Sequence, residues 1–146
     1  MNTSPRNRVP DDAPNELKIA VVGGGRRCHT LLQVLASTEN KGIQARIVGV
    51  ADINPDAQGL CYAREAGIFT TSDFARLFDL PEVDLVINLT GDRDICPVLT
   101  RFAPESVPVL PYPAAVLFQE LVQDVLNASR RVDEQADEIS RTQSFV

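Results

Sequence analysis

The chain has 146 residues, of which 44% are hydrophobic and 23% are charged, and its formal net charge is −6. The length suits one domain of ordinary size, and the composition is that of a globular protein. The negative charge disfavours binding to nucleic acid and offers no basic face to an acidic membrane. No apolar run reaches the roughly 20 residues of a membrane span, so no membrane segment is expected in this chain.

Cysteine and histidine are sparse and scattered. Cys28, Cys61 and Cys96 stand singly, and His29 is the one histidine. This usage predicts a reducing, cytoplasmic setting and no structural metal site. Each thiol is expected to be a buried packing group rather than a nucleophile or a ligand.

The first predicted element is a strand over residues 17–22, which follows a polar arm, residues 1–16, that is expected to be disordered. Gly23, Gly24 and Gly25 come next, and the apolar spacing after them predicts a helix. A strand, a glycine turn and a helix open a dinucleotide-binding unit. Glycine lets the backbone turn tightly there and lets its N–H groups approach a pyrophosphate with no Cβ in the way.

Two arginines, Arg26 and Arg27, open the predicted helix. Cations are disfavoured at a helix N-terminus, and a bound phosphate would offset that mismatch. The planar fork of arginine suits a phosphate partner. The alternative is that both side chains simply lie in a solvated first turn.

A second strand is predicted over residues 45–51, and Asp52 ends it. An acid at this point of a dinucleotide-binding unit accepts hydrogen bonds from the adenosine ribose. Asp52 lies farther from Gly23 than the usual gap of about 20 residues, and the polar stretch 37–44 accounts for this as a longer loop. A 2′-phosphate would meet the carboxylate, so NAD is favoured over NADP. The alternative is that Asp52 caps the following turn.

Asn54 and Pro55 predict the start of a second helix, with Asn54 as N-cap, and Gly67 ends that helix. A third strand is predicted at residues 68–70, and Ser72 is expected to cap a short helix behind it.

The near-continuous apolar run at residues 83–90 predicts a central parallel strand buried on both faces. Asp94 is expected to cap the next helix. Residues 107–110 predict a fifth strand, and Pro108 places it at an edge of the sheet.

The alternation of strands and helices predicts an α/β fold with a doubly wound parallel five-stranded sheet of order 3-2-1-4-5, a Rossmann fold, over residues 17–113. Its ligand crevice lies outside the carboxyl ends of strands 1 and 4, where the strand order reverses. The predicted cofactor-binding residues are Gly23, Gly24, Gly25, Arg26, Arg27, Asp52, Ile53, Asn54, Thr90 and Gly91. With no lysine beside this crevice and one histidine, no catalytic or metal-binding residue is predicted, and the chain alone is not expected to be an enzyme.

Residues 114–146 contain neither glycine nor proline and predict one long, coiled-coil-like helix. Its apolar positions fall in two columns seven residues apart: Phe118, Val125, Val132, Ile139 and Val146; and Ala115, Val122, Ser129, Ala136 and Gln143. The first half is expected to pack on the sheet and the second half to project and pair as a parallel homodimer. The alternative is one amphipathic helix folded back on its own domain.

Four runs, in order, carry a resemblance to a known family: residues 22–25, 50–55, 62–68 and 83–90. Over about residues 17–112 the chain resembles the N-terminal NAD(P)-binding domain of the glucose–fructose oxidoreductase and inositol dehydrogenase family. The resemblance implies that Gly23, Gly25 and Arg26 hold a pyrophosphate and that Asp52 holds the ribose. Members usually carry a Glu-Lys-Pro motif with a catalytic lysine after the fifth strand, where this chain has Pro111-Tyr112-Pro113.

The chain also resembles Rossmann-like domains that stand N-terminal to sensor and histidine-kinase modules in bacterial signalling proteins. This resemblance implies an N-terminal piece of a longer protein, with the last helix leading into the next module. Three hypotheses result: a cytoplasmic NAD(H)-type nucleotide sensor that is dimeric through residues 114–146, an NAD-dependent oxidoreductase subunit or fragment, and a structural dimerisation domain without a ligand.

Overall fold

The structure, a computed structural model, describes residues 16–36, 44–92 and 94–143. Its strands are β1 Leu17–Val22, β2 Ala45–Ala51, β3 Phe69–Thr71, β4 Leu85–Asn88 and β5 Val109–Leu110. Its α-helices are α1 Arg26–Ala36, α2 Gln58–Glu65, α3 Ile95–Phe102 and α4 Tyr112–Gln143, and a 3₁₀ helix spans Phe74–Asp79. The predicted arm, apart from Glu16, and most of the predicted 37–44 loop lie outside the described residues.

The five strands form one parallel sheet of order β3-β2-β1-β4-β5. This confirms the predicted doubly wound Rossmann sheet. The strand order reverses between β1 and β4, which pair from Ile19 with Leu85 to Val22 with Asn88. The carboxyl ends of β1, β2 and β4 therefore meet at one edge of the sheet.

Helices cover both faces of the sheet because β1 is apolar on both sides. Ile19 and Val21 belong to a core shared with α1, α2 and the start of α4. Ala20 and Val22 belong to a second core with the 3₁₀ helix and α3. All four side chains are buried, as expected of a central parallel strand.

The predicted start of the second helix at Asn54 is wrong by several residues, since α2 begins at Gln58 after Ala57. The side chain of Asn54 instead accepts a hydrogen bond from the N–H of Asp56 at 3.0 Å and closes a turn. Asparagine makes such a turn as readily as it caps a helix, so the residue type alone did not distinguish the two.

Three smaller differences follow from local hydrogen bonding. Strand β3 lies one residue later than predicted. The 3₁₀ helix is capped by Asp73, whose Oδ1 accepts from the N–H of Ala75 at 3.0 Å, and not by Ser72. Strands β4 and β5 are shorter than predicted, but β5 does lie at the sheet edge.

The long helix α4 packs its first part on the domain, as predicted. Ala115, Gln119 and Val122 are buried, and α4 contacts α1 and β4. Beyond Val122, the described side chains from Asp124 to Ala136 are exposed. Two members of the predicted heptad seam, Ala115 and Val122, are thus buried in the core of the chain's own domain. Pairing of the second half stays a prediction, and Val146 lies outside the described residues.

Candidate functional site

A crevice of about 380 Å³ opens at the carboxyl ends of β1, β2 and β4. This is the point where the strand order reverses, as predicted. The crevice is lined by Val22, Gly23, Gly25, Ala51, Asp52, Ile53, Ser72, Phe74, Leu89, Thr90, Asp92 and Ile95. It therefore brings together five of the ten predicted cofactor-binding residues: Gly23, Gly25, Asp52, Ile53 and Thr90.

Gly23 is required by the protein's own backbone. Its φ is +105°, a conformation that side-chain-bearing residues rarely adopt. A Cβ there would lie 2.8 Å from the carbonyl carbon of Leu89 and from the nitrogen of Thr90. Its N–H donates to the carbonyl oxygen of Ala51 at 2.8 Å. Gly23 thus lets the chain leave β1 while it contacts the ends of both neighbouring strands.

Gly25 differs from Gly23 because nothing inside the protein requires a glycine there. Its φ is not positive, and among the described residues an added Cβ would meet no atom within 4 Å. Gly25 nevertheless lines the crevice. The space beside it is a cradle that a side chain would fill, which fits the close approach of a pyrophosphate to the backbone.

Asp52 joins the glycine turn to the end of β2. Its Oδ2 accepts from the N–H of Gly24 at 2.7 Å, and its Oδ1 accepts from the N–H of Asn54 at 2.9 Å. The carboxylate therefore caps the following turn and also lines the crevice. Each oxygen keeps a further lone pair, so it can accept a ribose hydroxyl in addition.

The start of helix α2 packs closely against the backbone of the glycine turn. The N–H of Leu60 donates to the carbonyl oxygen of Gly24 at 2.9 Å. A Cβ on Gly59 would lie 2.7 Å from the carbonyl oxygen of Gly25 and 2.8 Å from that of Gly24. Gly59 thus shapes the site without lining it, and sequence reasoning missed it. The available signal was a glycine inside a predicted helix, which often marks a close approach of two backbones.

Arg26 and Arg27 are exposed in the first turn of α1 and do not line the crevice. The guanidinium of Arg27 lies 5.9 Å from the ring centroid of Tyr112, the first residue of α4. On the other side, the Tyr112 ring approaches Gly91, whose Cβ would lie 3.8 Å from Cζ. Tyr112 thus connects the start of α4 with the first turn of α1 and with the loop after β4.

The loop after β4 is held by the buried side chain of Asn88. Its Oδ1 accepts from the N–H of Thr90 at 3.0 Å and from the Thr90 hydroxyl at 2.7 Å. Its Nδ2 donates to the carbonyl oxygen of Asp92 at 3.3 Å. Asn88 therefore positions Thr90 and Asp92 at the crevice, although it does not line the crevice itself.

The apolar wall of the crevice was not predicted. Phe74 comes from the 3₁₀ helix, Ile95 from α3 and Leu89 from the loop after β4, and the polar Ser72 also lines the crevice. These residues carry no motif, because their place at the site depends on how separate elements pack. Ile53 is 88% exposed at the rim, which is unusual for a large aliphatic side chain next to a cleft.

Cys28 is fully buried in α1, beneath the glycine turn. Burial, with a smaller contribution from the nearby charge of Asp52, raises the pKa of the Cys28 thiol to about 12. The Cys28 thiol is therefore neutral and unreactive at ordinary pH, in agreement with its predicted role as a buried packing group.

In the part of the chain that the structure describes, the lysine and histidine side chains that could transfer a proton lie away from the crevice. Lys18 lies near the amino-terminal end of β1, at the opposite end of the strand from the crevice, and pairs with Glu82. The hydrogen bond and the charge of Lys18 lower the pKa of Glu82. His29 lies next to Gln58, with Nδ1 and Nε2 2.8 Å apart, and packs edge-on against Tyr62. No lysine or histidine lines the crevice among the described residues.

Two further classes of site are not found in the part of the chain that the structure describes. No three histidine, cysteine, aspartate or glutamate side chains gather there as a metal-binding group. None of the described helices is long and apolar enough to cross a membrane.

No protein-family model matches the chain, and no curated protein is similar to it. Solved structures do share its fold. An oxidoreductase from Desulfitobacterium hafniense, assigned as NADPH-dependent, matches 80% of this chain with a TM-score of 0.54 and 15% identity. An NAD-binding oxidoreductase from Klebsiella pneumoniae matches 80% with a TM-score of 0.50 and 22% identity. An oxidoreductase from Agrobacterium radiobacter, solved with NAD+, L-tartaric acid and magnesium, matches 77% with a TM-score of 0.50 and 18% identity.

The chain spans about a third of the length of these proteins, 33%, 32% and 33% respectively. At such low identity the likeness establishes the fold. It agrees with the sheet order and confirms the Rossmann class predicted from the sequence.

Proposed function

We propose that the chain binds an NAD-type dinucleotide in the crevice, with NAD favoured over NADP. The observation that carries this proposal is the cradle at Gly25, which no contact within the protein requires, next to the carboxylate of Asp52. The similar fold of NAD(P)-dependent oxidoreductases supports the same ligand. When bound, the dinucleotide would supply a nicotinamide able to accept or donate hydride.

Each predicted site residue has a part in this proposal. The turn of Gly23, Gly24 and Gly25 and the first turn of α1 form the pyrophosphate site, where Arg26 or Arg27 pairs with a phosphate. The N–H groups of Gly23 and Gly24 donate within the protein, so the N–H groups from Gly25 onward bind the phosphate. Asp52, with Ile53 and Asn54 next to it, holds the adenosine ribose. Thr90 and Gly91 lie on the nicotinamide side.

Two roles are compatible with such a domain. One is an NAD-dependent oxidoreductase subunit or fragment, which the oxidoreductases of similar fold support better. The other is a regulatory or sensory domain at the start of a bacterial signal-transduction protein. The contact of Tyr112 with Arg27 supports the second role, because a phosphate that draws Arg27 away would act directly on the start of α4.

In both cases we propose a cytoplasmic protein in which residues 17–113 bind the dinucleotide and residues 114–146 form a homodimer. The exposed side chains of α4 beyond Val122 support pairing, because a helix that leaves its domain is stabilised mainly by packing on a partner. In the sensory role, ligand would favour one arrangement of the paired helices over another.

Calorimetric titration with NAD, NADH, NADP and ADP tests the proposal, with the mass in solution measured alongside. We expect micromolar binding of NAD or NADH and weaker binding of NADP. Absence of binding by all four would overturn the proposal and leave a scaffold domain. Reduction of NAD in the presence of sugars or polyols would favour the enzyme over the sensor.

A further inference from the structure

A line of large apolar side chains faces solvent on α4, beginning on the part that packs on the domain and reaching just beyond it. Leu117, Leu121 and Val125 expose 57%, 54% and 51% of their surface. They follow one another at four-residue steps, so they lie side by side along the helix. A row of aliphatic side chains this exposed is the sign of a surface that another helix covers.

This line is distinct from the face that α4 buries against its own domain. The buried face contains Ala115, Gln119 and Val122. At roughly 100° per residue, the exposed line is about a quarter of a turn or more around the helix from that face. The domain core therefore leaves the exposed line free along its whole length.

The line continues beyond the domain. Ala128 is exposed and lies on the same line, three residues after Val125. From Leu117 to Ala128 the line makes about three turns, close to 3.7 residues per turn. The line thus follows a straight helix, whereas the predicted heptad seam drifts from the buried face of the domain toward solvent.

The heptad seam cannot serve as the interface in its first half. Ala115 and Val122 belong to the core shared with α1 and β1, and a partner cannot reach them without opening the domain. A dimer that uses the whole length of α4 therefore needs the neighbouring exposed line, which shares Val125 with the seam but contains neither Ala115 nor Val122.

We infer that the apolar line from Leu117 through Leu121, Val125 and Ala128 is the surface on which a second copy of this chain packs, α4 against α4. This inference rests on the homodimer of the proposed function and specifies its face. The same line on both copies meets itself across a two-fold axis, as a symmetric dimer requires. The small Ala128 in the middle lets the two helices approach closely.

The size of α4 also suits a second copy. Its 32 residues span about 48 Å, and with side chains the helix is about 10 Å across, so its lateral surface is roughly 1,500 Å². A facing helix that covers about half of it buries roughly 750 Å², close to the ~800 Å² per partner of stable interfaces. The three exposed residues alone would cover far less, so the pairing has to run along the whole helix.

Light scattering of the full chain during size exclusion tests the inference, with Leu121→Asp and Leu117→Asp as variants. Asn127→Asp is the matched control, since Asn127 is exposed on a different face of α4 and receives the same charge. Because Leu117 and Leu121 are exposed on the single chain, both variants should keep the thermal unfolding midpoint of a folded domain. We expect a dimer for the parent and the control, and at least a 100-fold weaker dimer for each leucine variant.

A dimer that persists in both leucine variants would overturn the assignment of this face but leave the homodimer in place. A parent chain that is monomeric at high concentration would overturn the homodimer and this inference together. Neither result bears on nucleotide binding, which the calorimetric titration measures separately.

Discussion

Substitutions at Gly25 and Gly23 should separate ligand binding from folding. At Gly25 an added Cβ meets no atom of the described residues within 4 Å, and the backbone is not in the left-handed region. Gly25→Ala should therefore leave the free energy of unfolding unchanged or raise it by about 0.4–1 kcal/mol, because alanine restricts the unfolded chain. Gly25→Val should also fold, because the added atoms point into the open crevice.

Gly23→Ala is the contrasting variant. Its φ of +105° and the 2.8 Å approach to Leu89 and Thr90 add backbone strain to steric overlap. Together these should lower the free energy of unfolding by on the order of 4 kcal/mol, a large part of the ~5–15 kcal/mol of a typical domain.

Substitution of Gly25 should weaken NAD binding even though it leaves the fold intact. If the pyrophosphate accepts from backbone N–H groups beside Gly25, Gly25→Val removes at least one charge-assisted hydrogen bond, each worth about 1.5–3 kcal/mol. The affinity for NAD should then fall roughly 10- to 150-fold. Calorimetry gives the affinity, and thermal and urea unfolding give the stability. A Gly25→Val chain that is folded and binds NAD within twofold of the parent would refute the placement of the phosphate.

Three further predictions concern single side chains. Asp52→Ala should lower the free energy of unfolding by about 2 kcal/mol, because the N–H groups of Gly24 and Asn54 lose their acceptor, and should raise the NADP-to-NAD affinity ratio; an unchanged ratio would contradict the ribose contact. For Cys28, whose pKa is raised from 9.0 to about 12, the folded state keeps a proton that the unfolded state releases. The free energy of unfolding should therefore fall by about 1.4 kcal/mol per pH unit above pH 9, and Cys28→Ala should lose that slope in urea titrations at pH 8 and 10. Gln119→Leu should raise the unfolding midpoint, by about 1 kcal/mol of stability, because the Gln119 Oε1 is buried without a hydrogen-bond partner among the described residues; a lower midpoint would show that this oxygen is solvated.

The elements with strong periodicity could be predicted from the sequence, because burial alone determines which of their residues are apolar. The run from Ile19 to Val22 is apolar on both faces, as a central parallel strand requires. The sheet order then follows from right-handed crossovers, and the crevice follows from the sheet order.

The errors in the sequence-based predictions arise where one residue type is compatible with two local structures. Asn54 closes a turn where an N-cap was predicted, and Asp52 both caps that turn and lines the crevice. The apolar wall at Phe74 and Ile95 depends on packing between distant elements, which a local pattern does not encode. In α4 the predicted heptad positions fall on two different apolar faces. One, with Ala115 and Val122, packs on the domain, and the other, with Val125, faces solvent.

Gly24 has both of its backbone polar groups engaged within the protein, since its N–H donates to Asp52 and its carbonyl accepts from Leu60. The glycine turn is therefore preorganised, and little conformational entropy would be lost if it bound the proposed phosphate. Association should then follow a single exponential, with differences among nucleotide analogues expressed in their dissociation rates. The free and occupied turns should superpose within about 1 Å.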